Sequence, residues 1–66
     1  MQIKLLKAKM VLHGDTLTSL SEYLGLTTRA LCYKVNGKSP FKDKEMKVIK
    51  ERYNLTDSEV AEIFLS

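Results

Sequence analysis

The segment 16–37, TLTSLSEYLGLTTRALCYKVNG, limits most strongly how this chain can fold. Its leucines Leu17, Leu20 and Leu24 recur at spacings of three and four, the period of a helix that buries one face. Gly25 follows directly, and a glycine there can take the left-handed conformation that ends a helix and turns the chain sharply. The segment therefore predicts a short helix that begins after a capping Thr16 and ends in a tight turn.

A second short helix is predicted from about Thr27, another residue type that caps helices, to Val35. Leu31 and Val35 are four residues apart and face inward, and Asn36 with Gly37 ends the helix. The outer faces then carry Thr28, Arg29, Cys32, Tyr33 and Lys34. Two short helices joined in this way have the layout of a helix-turn-helix, whose second helix enters the major groove of DNA.

The rest of the chain predicts three more helices and no strand. One runs from about residue 3 to 12, one from about 42 to 53, and one opens with the capping box of residues 56–59. Phe41, in the loop before the fourth helix, is expected to anchor that loop in the core. The whole chain, 1–66, is thus predicted to be one all-α domain of five helices.

Composition excludes several classes of protein. One cysteine and one histidine permit neither an internal disulfide nor a typical structural zinc site, and the lack of disulfides is typical of a reducing cytoplasm. No apolar run approaches the roughly 20 residues that span a membrane. No serine, histidine and aspartate set and no phosphate-binding glycine loop is apparent, so the chain is expected to be neither an enzyme nor a cofactor-binding protein.

The distribution of charge is more informative than the formal net charge of +3. Residues 27–44 contain five basic residues against one acidic residue, whereas residues 56–66 contain Asp57, Glu59, Glu62 and no basic residue. Phosphate would attract the first region and repel the second, so the acidic end is expected to point away from DNA. The three acidic residues are otherwise interpreted as a solvated face.

From Thr16 to Phe41 the chain resembles the helix-turn-helix of phage Cro and repressor proteins, the XRE-like family. The matching residues are Thr16, Leu20, Ser21, Gly25, Leu26, Leu31 and the run KVNGKSPF at 34–41. The resemblance implies a five-helix, lambda-repressor-like domain that binds operator DNA and regulates transcription from phage or prophage genes. It also implies a location on the nucleoid in the cytoplasm of a bacterial host. The family usually has glutamine where this chain has Leu17 and alanine where it has Ser21.

The same resemblance assigns base reading to four residues at the start of the recognition helix, Thr28, Arg29, Cys32 and Tyr33. Arg29 either contacts guanine O6 and N7 together or holds only a phosphate. Tyr33 either touches the backbone or a thymine methyl group, or merely supports the domain surface. Cys32 is interpreted as a small residue tolerated at the interface, with a redox switch as the alternative.

A second set of residues is predicted to contact the DNA phosphates. For two members of this set, a structural role is the alternative to phosphate contact, since Thr27 can cap a helix and Asn36 can end one. The predicted phosphate contacts are Thr18, Thr27, Lys34, Asn36, Lys38, Ser39 and Lys42.

Two interpretations remain open for the function. In the first, the protein is a regulator that acts as a homodimer on double-stranded DNA, joined through the fifth helix with Phe64 and Leu65 or paired only on the operator. In the second, it is an antirepressor-like interaction module that retains the fold without binding DNA. Met1 and the absence of a linker after the fifth helix favour a whole protein over an excised domain.

Overall fold

Five short helices account for most of the fold in the computed structural model, which describes residues 1–65. No strand occurs in these 65 residues, so the predicted all-α class is confirmed. Ser66, the last residue of the predicted domain, lies outside the described residues. The helices are α1 Ile3–Leu12, α2 Leu17–Leu24, α3 Thr28–Val35, α4 Asp43–Arg52 and α5 Asp57–Phe64.

Threonine side chains begin three of the helices, as the sequence predicts. Thr16, Thr27 and Thr56 each accept a hydrogen bond from the backbone N–H three residues later, at 3.1 Å in every case. At α5 the Glu59 carboxylate accepts a hydrogen bond from the Thr56 backbone N–H at 3.0 Å, which completes the predicted capping box. Each cap satisfies a backbone donor that the first turn of a helix leaves free.

Gly25 makes the turn between α2 and α3. Its φ of 72° lies in the left-handed region, where a side chain would strain the backbone. The following Leu26 N–H donates to the Ser21 carbonyl at 2.8 Å, which satisfies one of the last acceptors of α2. The chain therefore reverses within a few residues, and α2 and α3 form the most extensive helix pair of the described fold.

The core draws on all five helices and on two residues, Tyr53 and Leu55, of the connection between α4 and α5. Helix α1 packs against α3 and α5, and α4 packs against α5, so that α1 and α5 tie the α2–α3 pair to the rest of the domain. Phe41 is half-buried and meets Phe64 edge to face, with ring centroids 5.3 Å apart, which confirms its predicted anchoring role. The buried apolar residues are Leu6, Met10, Leu20, Leu31, Val35, Ile49, Tyr53, Leu55 and Ile63.

None of the helices within residues 1–65 has the length and apolar character needed to cross a membrane. The same residues contain no cluster of three or more histidine, cysteine, aspartate or glutamate side chains that would suit a metal ion.

Candidate nucleic-acid interface

The first turn of α3 presents polar side chains to solvent. Thr27, Thr28 and Arg29 are all exposed, while Leu31 and Val35 on the opposite side of the helix are buried. The Thr28 hydroxyl lies 3.4 Å from the hydroxyl of Ser21, a buried residue where α2 meets α3. Ser21 also donates to the Thr18 carbonyl at 2.8 Å, so this small side chain satisfies its hydroxyl inside the helix pair.

Two cationic side chains contact Tyr33 on the exposed face of α3. Arg29 Nε donates to the Tyr33 hydroxyl at 3.1 Å, and the guanidinium carbon lies 5.7 Å from the ring centroid. Lys38, from the loop that follows α3, brings its ammonium nitrogen to 5.9 Å from the same centroid. A cation within about 6 Å of an aromatic ring is attracted by the ring's quadrupole. Three of the predicted DNA contacts therefore form one surface cluster.

The end of α3 holds two further predicted contacts. Asn36 Nδ2 donates to the Cys32 carbonyl at 2.9 Å and lies 3.3 Å from the Cys32 sulfur. Lys7 of α1 donates to Asn36 Oδ1 at 3.2 Å. Asn36 is thus the residue that ends α3, and its amide is already engaged with the helix it terminates. Cys32 is half-buried beside it.

Lys34 does not lie on the outer face of α3, and that prediction is wrong. Only 8% of the residue is exposed, and its ammonium group donates to Glu45 Oε1 at 2.8 Å and to the Pro40 carbonyl at 3.2 Å. Its ammonium nitrogen also lies 5.9 Å from the centroid of the Phe41 ring. A long lysine stem can pass along apolar surface and deliver its charge to a buried partner, which helical periodicity alone does not reveal.

Glu45 is the buried acceptor for this lysine and for the start of α4. The same oxygen, Oε1, accepts the Lys42 backbone N–H at 2.9 Å. Burial alone would raise the pKa of Glu45, but the hydrogen bonds from Lys34 and from the Lys42 backbone outweigh it and lower that pKa. The pair neutralises one of the five positive charges counted for residues 27–44, and Arg29, Lys38, Lys42 and Lys44 remain exposed.

The N-terminus of α2 is held by a buried carboxylate that sequence reasoning did not identify. The Asp15 side chain, 3% exposed, accepts two hydrogen bonds from Arg52 at 2.7 Å each. It also accepts the Tyr53 hydroxyl at 2.7 Å and the Ser19 hydroxyl at 2.8 Å. Asp15, Ser19, Arg52 and Tyr53, named here the Asp15 network, join the α1–α2 connection to the end of α4. No local signal reveals a partner 37 residues away.

Electrostatics of the Asp15 network favour the charged aspartate. The hydrogen bond from Arg52, with further bonds from Tyr53 and Ser19, holds the Asp15 pKa well below its usual range despite burial. Burial and the bond to Asp15 raise the pKa of Tyr53 well above that of a free tyrosine. Aromatic rings flank the network. The guanidinium carbon of Arg52 lies 4.1 Å from the Tyr23 ring centroid, and the His13 ring stacks on the Tyr53 ring with their centroids 4.8 Å apart.

The remaining predicted phosphate contacts lie at helix starts and in the loop after α3. Thr18 is exposed in the first turn of α2, and Lys42 is exposed immediately before α4. Ser39 is half-buried in that loop and lines a groove with Phe41 and Phe64.

The acidic end of the chain is not simply a solvated face. Lys50 pairs with Asp57, and Lys9 pairs with Glu59 at 2.7 Å, so α5 is tied electrostatically to α4 and α1. The bonds from these lysines lower the pKa of Asp57 and of Glu59. These pairs therefore supply links between helices that the charge pattern alone did not predict.

Comparison with protein-family models, with curated proteins and with solved structures gives no match for this chain. The function must therefore be argued from the surface itself: an exposed cationic and hydroxyl-bearing face on α3, flanked by the exposed start of α2 and by a basic loop.

Proposed function

We propose that this protein binds double-stranded DNA in a sequence-specific manner and regulates transcription, with α3 placed in the major groove. The observation that carries the proposal is the two-sided character of α3. One side is buried through Leu31 and Val35, and the other presents Thr28, Arg29 and Tyr33 to solvent. Helix α3 follows α2 after a tight turn and packs against it, and a helix held in this way is suited to insertion into the major groove.

Base reading is assigned to the exposed side of α3, with Arg29 as the principal contact. Its guanidinium group can donate to two acceptors on the edge of guanine, and such a pair contributes about 1–3 kcal/mol of discrimination. Thr28 lies next to it in the first turn and offers a hydroxyl and a methyl group. Cys32 lies one turn further along, and Tyr33 lies beside Arg29 on the same exposed side.

Phosphate contacts are assigned to residues around that surface. Lys38 is exposed in the loop between α3 and α4, and Lys42 is exposed immediately before α4. Thr18 and Thr27 lie at the starts of α2 and α3. Backbone N–H groups at a helix start attract phosphate even without a charged side chain, which suits α2 because it has no basic residue in its first turn. Lys34 is omitted from this set because Glu45 already neutralises it.

The test is a selection of preferred sequences from a random duplex library, followed by affinity measurements at several salt concentrations. Wild type is expected to enrich one sequence family, and its affinity should fall steeply as salt rises because phosphate binding releases counterions. Arg29→Ala should lose the preference for one base position while retaining part of the non-specific affinity.

A matched control is available on α4. Lys47→Gln removes an exposed lysine that lies outside α2, α3 and the loop between α3 and α4, so it should change neither preference nor salt slope appreciably. Lys38→Gln should reduce the slope of log affinity against log salt concentration by about 1, the change expected for the loss of one phosphate contact. If the library yields no enriched sequence at low salt, the proposal is rejected.

We further propose that two copies occupy a palindromic site, with half-sites about 34 Å apart. An apolar surface at the end of α5 supports this part of the proposal, since Leu65 is 74% exposed and lies beside the half-buried Phe64. Leu65→Asp should weaken binding to a double site far more than binding to a single half-site. Equal losses on both duplexes would argue against pairing through α5.

The same apolar surface favours a second candidate, an antirepressor-like module that binds another regulator. It forms one side of a groove of about 380 Å³ that is lined by Phe41, Met46, Phe64 and Leu65, among others. In that case the library would yield no preferred sequence, and Arg29→Ala would leave the interaction with the protein partner unchanged.

A further inference from the structure

We infer that Tyr33 determines specificity by positioning Arg29, holding the Nε end of its guanidinium so that both terminal amino groups face a guanine. This inference rests on the proposed function and deepens it. It assigns Tyr33 a role through Arg29, rather than a contact of its own with the DNA.

The geometry of the hydrogen bond defines which donors are left. Arg29 and Tyr33 are four residues apart on α3, so their side chains lie on the same face of the helix, and Nε donates to the phenolic oxygen at 3.1 Å. Within residues 1–65, the Arg29 guanidinium makes this one hydrogen bond. The two terminal amino groups therefore remain available as donors.

Guanine presents two acceptors, O6 and N7, on its major-groove edge. An arginine can meet them either through Nε and one terminal nitrogen or through both terminal nitrogens. Because Tyr33 occupies Nε, the second geometry is the one that requires no bond to break. The planar guanidinium then approaches the base end-on, already oriented by the helix that carries it.

The ring of Tyr33 reinforces this arrangement. Both the Arg29 guanidinium carbon and the Lys38 ammonium nitrogen lie within 6 Å of its centroid. A long side chain loses rotamer freedom when it binds, and contacts made in the free protein reduce that loss. Tyr33 is 41% exposed, so the cluster sits where a duplex can reach it.

The first experiment detects the positioning contact in the free protein by NMR of the arginine Nε–H groups. The chain has two arginines, and the second, Arg52, donates its Nε to Asp15 at 2.7 Å. Tyr33→Phe should shift the Arg29 signal and speed its exchange with water severalfold, while the Arg52 signal serves as an internal reference. An unchanged Arg29 signal would overturn the inference.

The second experiment measures guanine discrimination on the duplex selected by the wild type. Each guanine is replaced in turn by 7-deazaguanine, which lacks the N7 acceptor. Wild type should lose about tenfold in affinity at one guanine, and Arg29→Ala should be insensitive there. Tyr33→Phe keeps the ring, and therefore any contact with a thymine methyl group, but it should reduce discrimination at that guanine by about three- to tenfold.

The outcomes separate this inference from the proposed function. If wild type selects a guanine that depends on Arg29 and Tyr33→Phe discriminates equally well, Tyr33 has no positioning role although DNA recognition stands. If the selected sequence contains no guanine whose recognition requires Arg29, the inference is wrong because Arg29 is not the residue that reads guanine. A library without any enriched sequence rejects the proposed function and this inference together. An unchanged Arg52 signal in Tyr33→Phe shows that this variant is folded, so that a loss of guanine discrimination is not a loss of folding.

Discussion

The two arginines of this chain occupy opposite kinds of environment. Arg52 is 28% exposed at its side chain, makes two bonds of 2.7 Å to the buried Asp15 carboxylate, and lies against the Tyr23 ring. Arg29 is exposed and makes one bond of 3.1 Å, to a neutral phenol on its own helix. Arg52 therefore uses its charge and its donors inside the fold, whereas the two terminal amino groups of Arg29 stay exposed to solvent.

A similar contrast separates two lysines that are four residues apart. Lys34 is buried against Glu45, and Lys38 is exposed beside Tyr33. A count of basic residues treats the two alike, yet only one contributes positive potential to the proposed DNA-binding surface. Whether a lysine is neutralised inside the fold or stays exposed therefore depends on the acceptor nearest to it.

The largest effect on stability is expected from Asp15→Ala. Removing this carboxylate leaves Arg52 and the Tyr53 hydroxyl without their shared acceptor, so the free energy of unfolding should fall by about 2–4 kcal/mol. Urea unfolding followed by circular dichroism measures the change. The exposed Asp43→Ala is the control and should cost less than about 1 kcal/mol. Similar losses in both variants would mean that the Asp15 network contributes little.

Lys34→Met should come next. It leaves the Glu45 carboxylate buried without its ammonium partner, and we expect a loss of about 1–3 kcal/mol in the free energy of unfolding. Lys38→Met, on the exposed side, should stay within about 0.5 kcal/mol of wild type. The same urea titrations test both. A larger effect for Lys38 than for Lys34 would contradict the division between them.

Acid should weaken the Asp15 network in a defined pH range. The pKa of Asp15 is lower in the folded protein than in the unfolded chain, so its stabilising effect is complete above the unfolded value of about 4 and is lost as pH falls through the folded value. Between pH 7 and pH 3 this single group should contribute a loss of about 1 kcal/mol. Asp15→Asn should remove that part of the acid dependence in urea titrations at each pH. An unchanged slope would contradict the assignment.

The smallest effect on stability is expected from Arg29→Ala. The side chain is exposed and its single bond lies on the surface, so the free energy of unfolding should change by less than about 0.5 kcal/mol. Measured on the same preparation, the preference at one base position should be lost, as proposed above. A destabilisation comparable to that of Asp15→Ala would place Arg29 among the structural residues and remove the contrast between the arginines.

Local sequence predicted the helices well because their determinants lie within a few residues. Thr16, Thr27 and Thr56 cap the helices that they precede, and Gly25 adopts the left-handed turn expected of it. Phe41 anchors its loop as predicted. Each of these outcomes depends on backbone geometry or on an apolar side chain seeking cover, and both can be inferred from short windows of sequence.

Pairing between distant polar groups was not predictable in the same way. Arg52 reaches Asp15 across 37 positions, and Lys34 reaches Glu45 across 11. No periodicity links the members of either pair. Both contacts depend on the tertiary arrangement that brings the two ends of α4 to Lys34 and Asp15. Helical spacing alone therefore predicted an exposed position for Lys34.

The sequence by itself determined the number of helices, their ends, and the apolar faces that join them, because capping, glycine turns and helical spacing act over one or two turns. Tertiary structure alone decided the use of each charge. It buried Lys34 and Asp15 with partners and left Arg29 with Tyr33 and Lys38 at the surface. The physical reason is that an ionic group is stable in a dry interior only beside a compensating group, and its position follows from the packing of whole helices.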